Sequence, residues 1–152
     1  MANRDWMDKT LALALKRGCD AAEIYYASTE SFAVSASDGD FDRYEVAAGG
    51  GLNLRVTVNG RDGYAYTETF GDAEALVARA MDNARIIGVL DEHPMQGVCQ
   101  YEAVGEAPSP LARLPERDKI ELSLLLEREA LAADARTKRV VDCTVGNERR
   151  TI

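Results

Sequence analysis

The sequence predicts an α+β fold, with helices packed on one face of a curved antiparallel sheet of about five to six strands. Segments in which apolar and polar residues alternate recur along the chain, separated by glycine-containing turns. This is the pattern of antiparallel strands with one buried face. Three other segments repeat apolar residues every three or four positions, as expected of helices that cover such a face.

Three helices are predicted from this spacing. The first spans residues 5–17 and ends at Gly18, the second is capped by Asp72 and ends at Gly88, and the third spans 116–133. The positions expected to be buried are Met7, Leu11, Ala14 and Leu15 in the first helix, Leu76, Val77, Ala80, Met81, Ala84 and Ile87 in the second, and Ile120, Leu122, Leu124, Leu125, Leu126 and Leu131 in the third.

Six strands are predicted around two tight turns. Asp38-Gly39 and Asn59-Gly60 are hairpin signals, because both central residues of such turns adopt positive φ. Residues 89–115 contain all four prolines and are predicted to form a surface connection. The predicted strands are residues 23–28, 31–37, 41–47, 52–58, 64–70 and 138–145.

The end of the chain predicts a domain cut from a longer protein. Gly146-Asn147 is a hairpin signal, yet only a short segment follows it. Residues 1–152 are therefore interpreted as a single domain whose return strand and C-terminal neighbour are missing. A natural C-terminal edge strand is the alternative.

Composition predicts a soluble cytoplasmic domain. The 152 residues carry a net charge of −8, and no apolar run approaches the roughly 20 residues that cross a bilayer. The N-terminus lacks a signal-peptide pattern. Three cysteines without a CxxC pair are typical of reduced thiols. The acidic balance argues against nucleic-acid partners, because phosphate contacts require a basic surface.

Catalytic chemistry is nearly absent from the sequence. The single histidine, His93, cannot supply a zinc site alone and is interpreted as an exposed loop residue. None of Cys19, Cys99 and Cys143 lies where a helix N-terminus or a glycine-flanked elbow would activate it. We therefore predict no catalytic residue and no metal ligand in this chain.

The strand pairs around residue 60 offer the one candidate surface. Arg55 lies on the polar side of its strand, and Tyr64 and Tyr66 share a face because they are two residues apart. These three side chains form either an interaction surface or a sheet face packed by tyrosine rings. The glycines at 49–51 lack the lysine and the helix of a phosphate loop, and are expected to allow a bulge or a close backbone approach.

Several segments together resemble the N-terminal domain of the TldD/PmbA (TldD/TldE) family. They are 22–26 (AEIYY), 51–56 (GLNLRV) and 59–67 (NGRDGYAYT), followed by a helix with Ala80, Asn83, Ala84 and Arg85, by 119–122 (KIEL), by 127–134 and by Arg136. The resemblance covers essentially the whole chain. Each motif is an alternation or glycine pattern, and their order makes the resemblance specific.

The resemblance implies a cytosolic zinc metalloprotease system. In this family a TldD-type subunit carries an HExxxH motif in its C-terminal domain and hydrolyses unfolded peptides, and a PmbA-type partner lacks the motif. Residues 64–68 (YAYTE) resemble the PmbA-type subunit more than the TldD-type subunit. Any zinc would belong to the C-terminal domain of the parent protein or to its partner subunit, beyond Ile152. The family's label as a modulator of DNA gyrase does not require DNA contact.

The resemblance therefore predicts a non-catalytic domain of a metallopeptidase subunit. Its role would be to assemble with a TldD-type or PmbA-type partner, as a homodimer or heterodimer, and to line a chamber for unfolded peptides. A sheet edge could bind such peptides by strand addition. The alternative is a stand-alone protein-interaction or peptide-binding module without protease activity.

Overall fold

The computed structural model, which describes residues 2–87, 95, 97 and 110–152, confirms an α+β fold with an open antiparallel sheet. Within these residues the sheet has four strands in the order β3-β2-β1-β4. In chain order the elements are α1 (Ala2–Lys16), β1 (Ala21–Ser37), β2 (Asp40–Val58), β3 (Arg61–Thr67), α2 (Ala73–Ile86), a 3-10 turn (Pro110–Arg113), α3 (Glu116–Ala132) and β4 (Cys143–Thr151).

These residues divide into two compact units, and the two long strands contribute to both. The first unit contains α1, residues 21–28 of β1, residues 50–58 of β2, β3 and α2. The second contains the remaining parts of β1 and β2, the 3-10 turn, α3 and β4.

The predicted five to six strands are more than the four found in the described residues, because two predicted breaks do not occur. Residues 29–30 and 48–51 continue β1 and β2. At the second break, Gly50 lies against β1, where a Cβ would come within 2.8 Å of the Ser28 Cβ and 3.1 Å of the Ala27 carbonyl oxygen. The glycine thus permits a close approach that keeps the strands paired.

Both predicted hairpin turns are confirmed. Asp38 and Gly39 have φ of 55° and 83°, and Asn59 and Gly60 have φ of 51° and 72°. These left-handed conformations suit the twist of the flanking strands, and asparagine, aspartate and glycine tolerate them best. The second turn sets β3 antiparallel to β2, with pairs running from Leu52↔Thr67 to Val58↔Arg61.

The first unit has its core between the inner face of its strands and helices α1 and α2. Asp72 caps α2 as predicted, because its Oδ1 accepts the Ala75 amide at 3.0 Å. Leu54, Val56 and Val77 are completely buried. Each such side chain contributes about 1.5–3 kcal/mol through burial. The buried cluster consists of Ala14, Cys19, Leu52, Leu54, Val56, Ala65, Leu76, Val77 and Ala80.

In the second unit, α3 does not bury the leucines that its spacing predicts. Its buried residues are Lys119, Ser123 and Glu127, whereas Leu125, Leu126 and Leu131 are each more than a third exposed. Polar partners explain the difference. Lys119 Nζ donates to Asn147 Oδ1 at 2.7 Å and lies 4.4 Å from the centre of the Phe32 ring.

The prediction for the C-terminal strand is also wrong. Instead of a strand at 138–145 and a turn at Gly146-Asn147, β4 runs through both turn residues. Gly146 packs against β1, where a Cβ would come within 3.0 Å of the Phe32 carbonyl oxygen. The glycine therefore serves a close strand contact and does not reverse the chain.

Candidate interaction face

The sheet of the first unit brings together the three side chains singled out from the sequence. Arg55 on β2 lies directly opposite Tyr64 on β3, and Asn53 lies opposite Tyr66. Their neighbours Leu54 and Ala65 are buried in the core. Because side chains alternate along a strand, Arg55, Tyr64 and Tyr66 occupy the outer face of the sheet.

Arg55 is largely withdrawn from solvent by a polar network. Its Nε forms an ion pair with Asp62 Oδ2, and Thr57 Oγ1 donates to Asp62 Oδ1 at 2.7 Å. Asp62 is only 5% exposed. The Arg55 guanidinium carbon also lies 6.0 Å from the centre of the Tyr64 ring. The paired guanidinium therefore supports the ring of Tyr64 and is not presented as an open anion site.

The two tyrosines carry the exposed part of this surface, with Tyr64 44% and Tyr66 57% exposed. The Tyr66 ring covers Gly51, where any Cβ would overlap it. Loss of hydration, followed by the charge and hydrogen bond of Glu68, raises the pKa of the Tyr66 hydroxyl above its usual value. The hydroxyl therefore stays protonated at neutral pH and can donate a hydrogen bond.

A third tyrosine, missed in the sequence analysis, belongs to the same surface. Ile24 and Tyr26 of β1 pack against the core cluster, so the intervening Tyr25 points to the outer face, where it is 51% exposed. The alternation within residues 23–28 was the signal that could have identified it. We call Tyr25, Arg55, Tyr64 and Tyr66 the tyrosine face.

The tyrosine face can make contacts but has no group arranged for bond cleavage. Tyrosine presents an apolar ring and a polar tip, a combination that is enriched in protein interfaces. Such a surface suits polypeptide ligands, because the rings pack on side chains of any type and the hydroxyls bond to backbone groups. This chemistry favours the interaction surface over a merely packed sheet face.

The hydrogen bond beneath the face can be tested with Thr57→Val. We expect the free energy of unfolding to fall by about 1–2 kcal/mol, because one buried Asp62 oxygen loses its donor while the side-chain shape is kept. Urea unfolding followed by circular dichroism measures the change. Thr144→Val, which removes an exposed hydroxyl, is the control and should cost less than about 0.5 kcal/mol. Equal effects of the two variants would contradict a buried network.

The histidine and the cysteines considered in the sequence analysis do not belong to the tyrosine face. His93 and Cys99 lie outside the described residues. Cys19 and Cys143 are buried and unbridged, and burial is the main cause that raises the pKa of both thiols.

Within residues 2–87, 95, 97 and 110–152, no three His, Cys, Asp or Glu side chains are grouped as metal ligands. None of the helices in these ranges is long and apolar enough to span a bilayer.

The fold and this surface define an α+β domain with an open antiparallel sheet and an aromatic outer face. Residues 22–84 match the family model described as PmbA/TldA metallopeptidase domain 1. Over these residues the chain is therefore similar to the N-terminal domain of the TldD/PmbA family. A search of curated protein sequences found no significant match.

Solved structures share the fold over nearly the whole chain. A proposed modulator of a DNA gyrase from Thermotoga maritima aligns over 97% of this chain with a TM-score of 0.77 and 22% identity. TldE from Thermococcus kodakarensis aligns over 95% with a TM-score of 0.79 and 15% identity. A proposed modulator of DNA gyrase from Bacteroides thetaiotaomicron aligns over 98% with a TM-score of 0.71 and 26% identity. The chain spans 33–34% of the length of these proteins.

Proposed function

We propose that this chain is a non-catalytic N-terminal domain of a TldD/PmbA-type peptidase subunit in the cytoplasm. It contributes to assembly with a partner subunit of TldD or PmbA type, and its tyrosine face lines a chamber for unfolded peptides. Residues 64–68 resemble the PmbA type more closely, which favours the assignment of this chain to the subunit type that lacks its own zinc motif. Nucleic acid and membranes are not among its ligands.

The observation that carries the proposal is the position of the tyrosine face within the matched family domain. Tyr25, Arg55 and both β3 tyrosines fall inside residues 22–84. Core residues hold the inner face of the same strands, so the outer rings are presented by a rigid support. Rings fixed in this way lose little conformational freedom when they bind a ligand, which is why tyrosine is an effective contact residue.

Zinc, which the family implies, has no place among the described residues. Those residues bring no three suitable ligand side chains together, and a zinc site needs at least that number. As the family resemblance implies, we propose that zinc belongs to the C-terminal domain of the parent protein or to its partner subunit. No step of peptide hydrolysis is assigned to this chain.

Peptide binding by the tyrosine face can be measured directly. We expect the 152-residue chain to bind a fluorescein-labelled, unstructured peptide without cleaving it. The double variant Tyr64→Ala/Tyr66→Ala should weaken binding about tenfold or more, because two exposed aromatic contacts are removed. Fluorescence anisotropy gives the affinity, and mass spectrometry of the peptide reports cleavage.

Ile86→Ala is the matched control. Ile86 is 81% exposed near the end of α2, away from the outer face of the sheet, so its truncation should leave peptide affinity unchanged. Unfolding curves of all variants show whether the fold is kept. Equal binding by the double variant and the control would refute the role of the tyrosine face. Cleavage of the peptide by the purified chain would refute the non-catalytic assignment.

A further inference from the structure

Among the residues that the structure describes, one long part of β2 has a partner strand on one side only. In the sheet order, β2 lies between β1 and β3, but β3 pairs with it only from Leu52 to Val58. Residues 40–48, here called the edge segment, belong to the second unit and have β1 on one side only, with no strand of the described residues on the other. An open edge presents unpaired N–H and C=O groups to any strand that fits.

The edge segment is accessible to solvent along its whole length. Every residue of the segment is exposed, including Phe41 at 56%, Tyr44 at 44% and Val46 at 61%. The segment contains no proline and is longer than a typical protected edge strand. Tyr44 is already oriented, since its hydroxyl donates to Glu116 at 2.7 Å and its ring meets Phe32 edge-to-face at 5.5 Å.

The charges of the edge segment favour one antiparallel register with a second copy of the same segment. Two copies of one strand that pair antiparallel are related by a two-fold axis normal to the sheet, which passes midway between the two copies of one central residue. An axis at Asp42, Arg43 or Glu45 would place two identical charges directly opposite each other. An axis at Tyr44 instead places Arg43 of each copy opposite Glu45 of the other, which gives two complementary pairs.

We propose that the edge segment pairs antiparallel with the edge segment of a second copy of this chain, with Tyr44 opposite Tyr44. This inference rests on the proposed assembly role and deepens it for the homodimer, one of the two assemblies, homodimer or heterodimer, that the family resemblance implies. The backbone groups of residues 40–48 supply the hydrogen bonds, and the two Arg43–Glu45 pairs fix the register. Phe41 of each copy then lies opposite Ala47 of the other.

Disulfide formation between introduced cysteines tests the register. In a Cys99→Ser background, Tyr44→Cys should give a covalent dimer under mild oxidation, because directly opposite Cβ atoms lie about 4.5–5.5 Å apart. Val46→Cys is the control, since in this register its two copies are about 13 Å apart along the strands. Cross-linking at position 46 instead of 44 would overturn the register. No cross-link at 44, together with a monomer at every concentration, would overturn the proposal.

A charge exchange tests the pairing independently. Sedimentation equilibrium should show that Arg43→Glu or Glu45→Arg weakens the dimer about tenfold or more, because like charges then oppose each other twice. The double exchange Arg43→Glu/Glu45→Arg should restore affinity to within about threefold of wild type. Glu121→Arg, an exposed reversal on α3, should have no effect. Failure of the double exchange to restore the dimer would overturn the proposed pairing.

The two proposals fail separately. A chain that stays monomeric but binds peptide through the tyrosine face would refute the edge pairing alone. A chain that dimerises as described but does not bind peptide would refute the role of the tyrosine face alone. Circular dichroism of each variant shows that an observed loss does not result from unfolding.

Discussion

Gly63→Ala is expected to destabilise the chain by about 3 kcal/mol or more, the largest single-residue effect predicted here. Helix α2 crosses β3 directly above this residue. An added Cβ would overlap the Ala80 carbonyl oxygen and the Ala84 amide nitrogen, both of which belong to the helix backbone. A flexible side chain could move aside, but these backbone atoms are fixed by the helix. Chemical denaturation followed by circular dichroism gives the change in unfolding free energy.

Gly49→Ala is the matched control for this prediction. Gly49 lies in β2, where an added methyl group would have nothing within 4 Å, and its φ is not in the left-handed region. The same substitution should therefore change stability by less than about 1 kcal/mol, or increase it slightly by restricting the unfolded chain. Similar costs at both positions would show that α2 does not press on the backbone of β3.

Glu127→Ala is expected to cost about 3 kcal/mol. The Glu127 carboxylate is 3% exposed and accepts the backbone amides of Asp38 and Gly39 at 2.8 and 2.9 Å. It therefore holds the β1–β2 turn against α3 within the second unit. Removal of the carboxylate leaves two amide donors of the turn without their partner. Urea unfolding measures the loss, and amide hydrogen exchange at Asp38 and Gly39 should become faster.

Two further variants separate the hydrogen bonds from the packing. Glu127→Gln keeps one acceptor oxygen and should lose about 1–2 kcal/mol, less than the alanine variant. Glu129→Ala removes a carboxylate that is 67% exposed on the same helix and should cost less than about 0.5 kcal/mol. An equal cost for the glutamine and alanine variants would indicate that the carboxylate charge, and not the number of acceptors, stabilises the turn.

Much of the local structure follows from the sequence because its causes are local. The two hairpin turns depend on residues that tolerate positive φ, and the Asp72 cap depends on an amide three residues away. Helix α2 buries the stripe that its spacing predicts, except for Met81 at the boundary and Ile87, which is 38% exposed. In each case the decisive interaction lies within a few residues along the chain.

The candidate face was only partly predictable. Alternation placed Arg55, Tyr64 and Tyr66 on polar sides of their strands, but the register that sets Arg55 opposite Tyr64 is a property of the folded hairpin. The burial of Arg55 by Asp62 and Thr57 depends on the same register. Alternation within residues 23–28 could have placed Tyr25 on an outer face, but only the order of strands in the sheet shows that it shares this face with Tyr64 and Tyr66.

The sequence by itself determined the α+β class, the two hairpin turns at Asp38-Gly39 and Asn59-Gly60, and the cap of α2. Only the tertiary structure decided that four strands of the described residues replace the six predicted, that β4 passes through Gly146-Asn147, and that α3 buries Lys119, Ser123 and Glu127. The physical reason is that a polar residue can be buried when a distant partner satisfies it. Asn147 and the turn at Asp38-Gly39 are such partners, and the spacing of residues within one helix carries no information about them.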